Sequence, residues 1–310
     1  MDIGFISLGC AKNLVDTEIM MAAVKASGHK IVNSLERAEA IIINTCGFIN
    51  EAKEEAIDTI IETGKLKEEG NLSYLIATGC LVQRYGTEIL DAMPELDGII
   101  GISEFHRLNE VLAAVSSGER VARLGPVPEI FVEKGPRYLT TPPGLAYLKI
   151  AEGCDNRCSY CTIPFIRGNL RSRPLREIVD EATLLVKKGI KELVVIAQDT
   201  SAYGKDLYGT PQLADLLHQL GKIEQLEWIR VMYLHPAHID DTLIETIAME
   251  EKVVPYLDIP IQHAANRVLK KMNRRHSLDS LQATINKLRA NIEGLVLRTT
   301  VMVGFPVETE

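Results

Sequence analysis

Two successive series of short, apolar, β-branched runs, each followed by a stretch with helical spacing, constrain this 310-residue chain more than any other feature. In the first series, "DIGFISL" (2–8), "EAIIINT" (39–45) and "LSYLIATG" (72–79) are nearly all apolar, as strands covered on both faces must be. Residues 13–27, 49–66 and 84–93 carry helical spacing, with charges on the other face. Strands that alternate with helices pair in parallel, because the crossover returns the chain to the same end of the sheet. Residues 1–117 are therefore expected to form an N-terminal open parallel α/β sheet domain. Residues 118–145 hold five of the thirteen prolines and no helical period, and read as a linker with room for one short hairpin.

The second series starts near Leu145. Its strand candidates are "AYLKIAEG" (146–153), "ELVVIAQD" (192–199), "WIRVMYL" (228–234), "YLDIPIQ" (256–262) and "LRTTVMVG" (297–304). Helical patterns at 174–188, 211–224, 238–250, 264–272 and 277–291 separate them. Five such units predict a partial (β/α) barrel or a wide curved parallel sheet over 146–310. The chain stops at Glu310 straight after the fifth strand, so a truncated barrel, part of a longer protein, is the expectation.

With 46% apolar residues the chain can bury ordinary globular cores. The N-terminus "MDIGFISLGC" lacks the basic, apolar and small-residue regions of a signal peptide, and no apolar run approaches the roughly 20 residues that span a bilayer. A cytoplasmic protein is expected. Six cysteines in a reducing compartment are more often metal ligands or reactive thiols than disulfides. The net charge of −8 argues against a surface that grips nucleic acid as a whole, although a local basic patch stays open.

Three cysteines, Cys154, Cys158 and Cys161, fall within eight positions of "EGCDNRCSYCTIP", after the first strand of the second series. Parallel α/β folds place their chemistry at such strand ends. A zinc knuckle would add a second Cys or His pair further on, and none follows at zinc spacing. Three thiolates can instead hold three irons of a [4Fe–4S] cube and leave the fourth open. This stretch resembles the radical S-adenosylmethionine (SAM) superfamily, whose signature is C-x3-C-x2-C with an aromatic, here Tyr160, before the third cysteine. The resemblance implies that SAM chelates the open iron, that an electron then cleaves it to a 5′-deoxyadenosyl radical, and that Tyr160 lies near the adenine. Without the resemblance Tyr160 reads as core packing.

Cys10, Cys46 and Cys80 are spread over seventy residues, and each alone reads as a buried small hydrophobe. Their settings are alike: "ISLGCAKN", "IINTCGFI" and "IATGCLVQ" each follow a strand candidate and precede a helical one. All three should lie at carboxyl ends of parallel strands, near the switch in strand order. The adjacent Gly9, Gly47 and Gly79 permit tight turns. Thiols converging there would make a second cubane site.

A cysteine-bearing α/β domain ahead of a radical SAM domain resembles the methylthiotransferases over essentially the whole chain. "SLGCAKNLVDTE" (7–18), "NTCGFI", "TGCLVQRY", "YLDIPIQHA" and "TTVMVGFP" look like the RimO branch, which acts on the β-carbon of an aspartate in the small-subunit ribosomal protein S-twelve (uS12). The resemblance implies two [4Fe–4S] clusters, with Cys10, Cys46 and Cys80 binding the auxiliary one, and two SAM molecules per turnover. It also implies a one-electron reductant such as flavodoxin or ferredoxin, and a C-terminal TRAM domain that this chain lacks. The alternatives are a tRNA adenosine methylthiotransferase of the MiaB branch, an iron–sulfur electron carrier, and a zinc-binding nucleic-acid module.

No acid–base residue is singled out. Gln198 and Asp199, in "AQDTSAYG", are candidate SAM contacts from the resemblance and turn residues otherwise. Arg167, Arg171 and Arg173 form a basic run that reads as a solvated face or as a site for a substrate carboxylate or SAM. Arg230, inside a strand pattern, needs a partner, and an anionic cofactor in the barrel would supply one. His235 and His263 follow strands and are either hydrogen-bonded structural residues or liners of the site, His263 being carried as a cofactor candidate. "VGFPVETE" places Val307 where the family's "GFPGET" has glycine, which bears on the turn there.

Overall fold

The run Ala40–Thr45 is buried along its whole length and lies inside a six-stranded parallel sheet. The computed structural model describes residues 1–70 and 72–309, so Glu310, the last residue of "VGFPVETE", lies outside the described residues. The described chain divides into two units, Met1–Thr140 with Phe165–Gly168, and Thr141–Pro164 with Asn169–Glu310.

In the first unit the elements run β1 (Asp2–Ser7), α1 (Ala11–Ala26), β2 (Lys30–Ile31), β3 (Ala40–Thr45), α2 (Asn50–Glu68), β4 (Tyr74–Gly79), α3 (Cys80–Tyr85), α4 (Thr87–Ala92), β5 (Gly98–Ile100), α5 (Leu108–Ser116) and β6 (Val121–Arg123). The sheet order is β2-β1-β3-β4-β5-β6 with every pairing parallel, so the order reverses between β1 and β3. Ile41 and Ile43 share a buried cluster with Ala56 and Ile60 of α2 and with Leu81 and Val82 of α3. Side chains alternate along a strand, so Ile42, also fully buried, turns to the other face. That double coverage is why the strand reads as an unbroken apolar run.

The second unit contains β7 (Leu145–Lys149), β8 (Ala151–Glu152), the short α6 (Ile163–Ile166, which crosses into the first unit), β9 (Arg171–Ser172), α7 (Leu175–Lys187), β10 (Glu192–Ile196), α8 (Lys205–Tyr208), α9 (Leu213–Gly221), β11 (Trp228–Val231), α10 (Asp241–Met249), β12 (Val253–Asp258), α11 (Asn266–Lys271), α12 (Leu278–Asn291) and β13 (Val296–Arg298). Five parallel strands lie in sequential order, β7-β10-β11-β12-β13. Helix α7 buries Ile178, Ala182, Leu185 and Val186, and α9 buries Leu213, Leu216, Leu217 and Leu220, each set forming a single stripe. Successive helices α7 with α9, α9 with α10, and α10 with α12 pack side by side. Sequential parallel strands with helices packed in the same succession are the wiring of part of a (β/α) barrel.

Several expectations are corrected. The segment read as a linker supplies β6, which pairs with β5, and its later part docks on α1 through Arg137 and Thr140, which bond the buried Glu18 carboxylate. Proline density marked a chain without helices, not a chain without contacts. The strand expected at 146–153 is two, because β8 leaves the sheet to pair antiparallel with β9. The helix expected at 84–93 is broken at Gly86, whose φ is +59°. Helix α5 and the short β2 and β5 were not foreseen. Helix α1 differs in kind, for its polar residues Lys12, Asn13, Asp16, Thr17 and Glu18 are buried.

Candidate functional site

Cys10, Cys46 and Cys80 follow β1, β3 and β4, three strands adjacent in the first sheet and beside its reversal point. Cys10 is the N-cap of α1 and Cys80 the first residue of α3. The turns allow this because Gly9 and Gly79 have φ of +85° and +97°, a region closed to most side chains. A Cβ on Gly9 would sit 2.7 Å from Cys46 Cβ, and one on Gly47 would sit 2.8 Å from Leu81 N and Cα. The three loops are thus packed at backbone distance.

Asn13 holds them there. Its amide donates to Leu8 O and to Thr45 O, 3.0 Å each, tying the ends of β1 and β3 together, while Thr45 Oγ1 donates to Thr78 O on β4. Asn13 Oδ1 accepts from Arg167 Nη2 at 2.6 Å, and Arg167 Nε donates to Cys80 Sγ at 3.3 Å. Burial pushes the Cys10 thiol up, but Lys12 and Arg167 outweigh it and leave it below its usual value. Burial pushes Cys46 up, and pushes Cys80 up to about 11 against the opposing pull of Arg167.

The second trio lies in the loop after β8. Cys161 N donates to Cys158 O at 3.0 Å, and Arg157 takes φ +51°, folding the loop on itself. Its outer side is pinned to the end of α11: Ser159 N donates to Met272 O, Ser159 Oγ to Lys271 O, and Asn273 Nδ2 to Arg157 O. Arg274 Nη1 approaches Cys158 Sγ at 3.9 Å. Burial pushes Cys154 up to about 12 and raises Cys161 too. Tyr160 is half-buried next to Cys158, and its phenol is raised chiefly by burial.

All six cysteines are free thiols. Among the described residues, three ligand atoms of His, Cys, Asp or Glu come within 4.8 Å of one another only at Asp199, His235 and His238. A single tetrahedral ion with Zn–S bonds of about 2.3 Å would draw three sulfurs tighter than that. Besides burial, Cys10 and Cys46 push Cys80 up, and Cys158 and Cys161 push Cys154 up, so the thiols of each trio are electrostatic neighbours without closing to the spacing one ion requires. That donor set fits a polynuclear iron–sulfur cube with three cysteine ligands.

The Asp199 group is not a metal site of that type. His235 Nδ1 accepts from Ala237 N at 3.2 Å, so a neutral His235 carries its proton on Nε2 and has no lone pair there for a metal. Asp199 accepts from Asn156 at 2.7 Å, Ser201 at 2.6 Å and His238 at 2.8 Å; burial raises it, but His238, with His235 and Ser201, holds it at about 2. Asp199, His238, Asn156, Lys205 and Cys154 line a cavity of about 40 Å³. A groove of about 540 Å³ in the first unit, between α2 and the pair α3 and α4, includes none of the six cysteines.

The remaining sequence candidates divide. Gln198 follows β10 and is bonded to the buried Glu152, itself paired with Lys149. Arg230 has a protein partner, Glu192 at 2.6 Å, and stacks on Tyr256. Glu192 opens β10, so the partner that a charge inside an apolar strand needs comes from the neighbouring strand. His263 is tied at both nitrogens, by Ala265 N and by Glu308, which makes it a structural histidine. The basic run is no solvated face: Arg167, Arg171 and Arg173 are all buried. Arg173 pairs with Glu181 at 2.6 Å, whereas Arg167 belongs to the other unit's cysteine site. Sequence reasoning missed Asn13 and Asn156, although both lie inside the cysteine motifs quoted above, and His238 and Arg274, which carry no local motif.

Two family models match the chain: the uncharacterized protein family UPF0004 over residues 2–101 and the Radical SAM superfamily over residues 148–310. The chain is 59% identical over 310 residues to the "Ribosomal protein uS12 methylthiotransferase RimO" of Syntrophomonas wolfei subsp. wolfei, covering 100% of this chain and 71% of that one. It is 48% identical to the protein of that name from Clostridioides difficile, covering 100% and 70%, and 50% identical to that of Thermoanaerobacter sp., again covering 100% and 70%. Among solved structures, the radical SAM methyltransferase TsrM from Kitasatospora setae aligns with a TM-score of 0.70 at 14% identity, covering 100% of this chain and 69% of that one. A second structure of TsrM, with cobalamin and a [4Fe–4S] cluster bound, aligns at 0.65 and 13% identity, covering 97% and 69%. At these identities the structures speak for the fold.

Proposed function

This chain belongs to the radical SAM superfamily and, within it, to the uS12 methylthiotransferase family of its relatives, and on that premise we propose that it adds a methylthio group to the β-carbon of an aspartate in ribosomal protein uS12. The observation that carries the proposal is the pair of cysteine trios, each of free thiols and each too open for one ion. Cys154, Cys158 and Cys161 would hold one [4Fe–4S] cluster and Cys10, Cys46 and Cys80 the other. With SAM bound, these clusters supply a carbon-centred radical for hydrogen abstraction and a place for the sulfur that is inserted.

The chain's own residues do the positioning. Ser159 and Asn273 tie the loop of the second trio to the end of α11. Asn156, two residues past Cys154, locks the Asp199 carboxylate, which stays ionised and faces the small cavity beside Cys154. An ionised carboxylate there can orient the amino end of a SAM molecule, and Gln198 and Tyr160 are the further contacts we assign to SAM. A protein target favours the uS12 reading over tRNA, because the chain carries an excess of eight negative charges and ribosomal proteins are basic. The reaction belongs in the cytoplasm with the ribosome, and a small one-electron carrier such as flavodoxin or ferredoxin would supply the electron. No described helix is long and apolar enough to cross a membrane.

Anaerobic reconstitution should give about eight irons per chain. Changing Cys154, Cys158 and Cys161 together to Ala should remove about half of the iron and all 5′-deoxyadenosine formation. A triple variant that still cleaves SAM refutes the assignment. Mass spectrometry of uS12 and tRNA offered together should find the added mass on the protein alone.

A further inference from the structure

We propose that Arg167 sets the charge and reduction potential of the N-terminal cysteine site through a hydrogen bond to Cys80. The inference rests on the reading of Cys10, Cys46 and Cys80 as cluster ligands. The segment Phe165–Gly168 packs with the first unit although the chain on both sides of it belongs to the second. Arg167, at 2% exposure, carries its guanidinium in that segment. Its fork is fully committed: Nη2 donates to Asn13 Oδ1 at 2.6 Å, Nη1 pairs with Asp16 Oδ2 at 3.1 Å, and Nε donates to Cys80 Sγ at 3.3 Å.

Asn13 and Asp16 are themselves buried, in a helix whose first turns would ordinarily keep such groups in water. Burying a cation and an anion together is costly, and a packing role for the segment would be served as well by apolar residues. What apolar residues cannot do is place a permanent positive charge and a donor against a ligating sulfur. Three thiolates around a [4Fe–4S] core carry one net negative charge when the core is oxidised and two when it is reduced. A buried cation with an N–H aimed at one sulfur favours the more negative state and so raises the potential. Asp16 tempers the effect, but Asp16 faces the Nη1 edge while the Nε edge faces the sulfur.

The test uses the full chain with Cys154, Cys158 and Cys161 changed to Ala, leaving the N-terminal cluster alone to be read. Arg167→Met by itself would strand the Asp16 charge, so Arg167→Met is combined with Asp16→Asn, and Arg167→Lys is the conservative comparison. Expected is an N-terminal cluster of unchanged iron content whose reduction equilibrium is at least tenfold less favourable in the double variant, a fall of about 59 mV for one electron. Arg167→Lys, which keeps the charge but loses the fork, should fall between. An unchanged potential at full iron content overturns the proposal. Loss of iron from the double variant whose apo form melts like its parent also overturns it, since Arg167 would then shape the cage and not its charge. A parent that binds no iron at all counts against the cluster assignment itself, a different failure.

Discussion

Changing Gly47 to Ala tests whether the N-terminal trio depends on backbone packing between its loops. The added Cβ would lie 2.8 Å from Leu81 N and Cα and 3.0 Å from Cys80 C, where ordinary contact begins near 3.4 Å. Those atoms are backbone and cannot rotate away, so the Cys46 loop and the start of α3 must separate by about 0.6 Å. Overpacking of this sort costs about 1–3 kcal/mol. Gly47 is absent from the positive-φ glycines, so the substitution adds no backbone strain and the effect is steric. Because Cys80 opens α3 and Leu81 and Val82 anchor that helix in the buried cluster, a shift of the α3 start carries the Cys80 thiol with it. Iron after anaerobic reconstitution should drop from about eight toward about four per chain, with SAM cleavage preserved. The control is Gly135→Ala, where the new Cβ meets a single side-chain methyl, Ile19 Cγ2, at 3.3 Å, and no positive φ adds strain. Iron counting and thermal unfolding of both variants decide the matter. A Gly47→Ala protein that keeps full iron and melts with the wild type refutes the claim that loop packing builds the cage.

Three further outcomes are expected. His235 is buried against Arg274, Asp199, His238 and His276, and burial with the Arg274 charge pushes it down to about 3. Between pH 6.5 and 3 the unfolded chain therefore takes up a proton that the folded chain refuses, and His235 costs about 1.4 kcal/mol of stability per unit of falling pH; His235→Gln should flatten that part of an acid unfolding titration, and an unaltered slope would count against the burial argument. Val307 sits at φ +81°, where a β-branched residue is strained, so Val307→Gly should raise stability by about 1 kcal/mol in urea unfolding, the strain released exceeding the chain entropy lost. Glu18→Gln takes the carboxylate from a cation, Arg137, that is itself buried, and should cost about 3 kcal/mol; a loss below about 1 kcal/mol would mean the 129–140 segment is held by other contacts.

Most of the parallel architecture is legible in the sequence, because a strand covered on both faces has to be apolar throughout, as Ile41, Ile42 and Ile43 are. What escapes is short or borrowed. β6 has three residues and takes its stability from pairing with β5, so no window of its own sequence marks it. The break at Gly86 divides a continuous helical pattern, since periodicity reports which face is apolar and not where the axis turns. The polar side of α1 looked like a solvated face because spacing cannot distinguish charges facing water from charges facing Arg137 and Arg167.

The cysteines were readable for a related reason. A thiol placed straight after a strand, beside a glycine, is fixed by local turns, so the sheet order alone brings Cys10, Cys46 and Cys80 together. The groups that act on those thiols are not local. Arg167 lies 87 positions from Cys80, and Arg274 lies 116 from Cys158. Neither arginine has a pattern around it that differs from a surface cation, and Arg230, which stood out because it interrupts an apolar strand, proved to be paired with Glu192. A strand interrupted by charge signals only that a partner exists somewhere, and the nearest neighbouring strand is the commonest place to find one. Holding iron and tuning it are therefore separable demands on this fold. On the proposed assignment the first is met by three short turns in the first unit and one folded loop in the second, and the second by single long-range contacts from buried guanidinium groups. A relative could keep all six cysteines and their glycines while replacing the two arginines, and such a chain should fill with iron yet exchange electrons at a different potential.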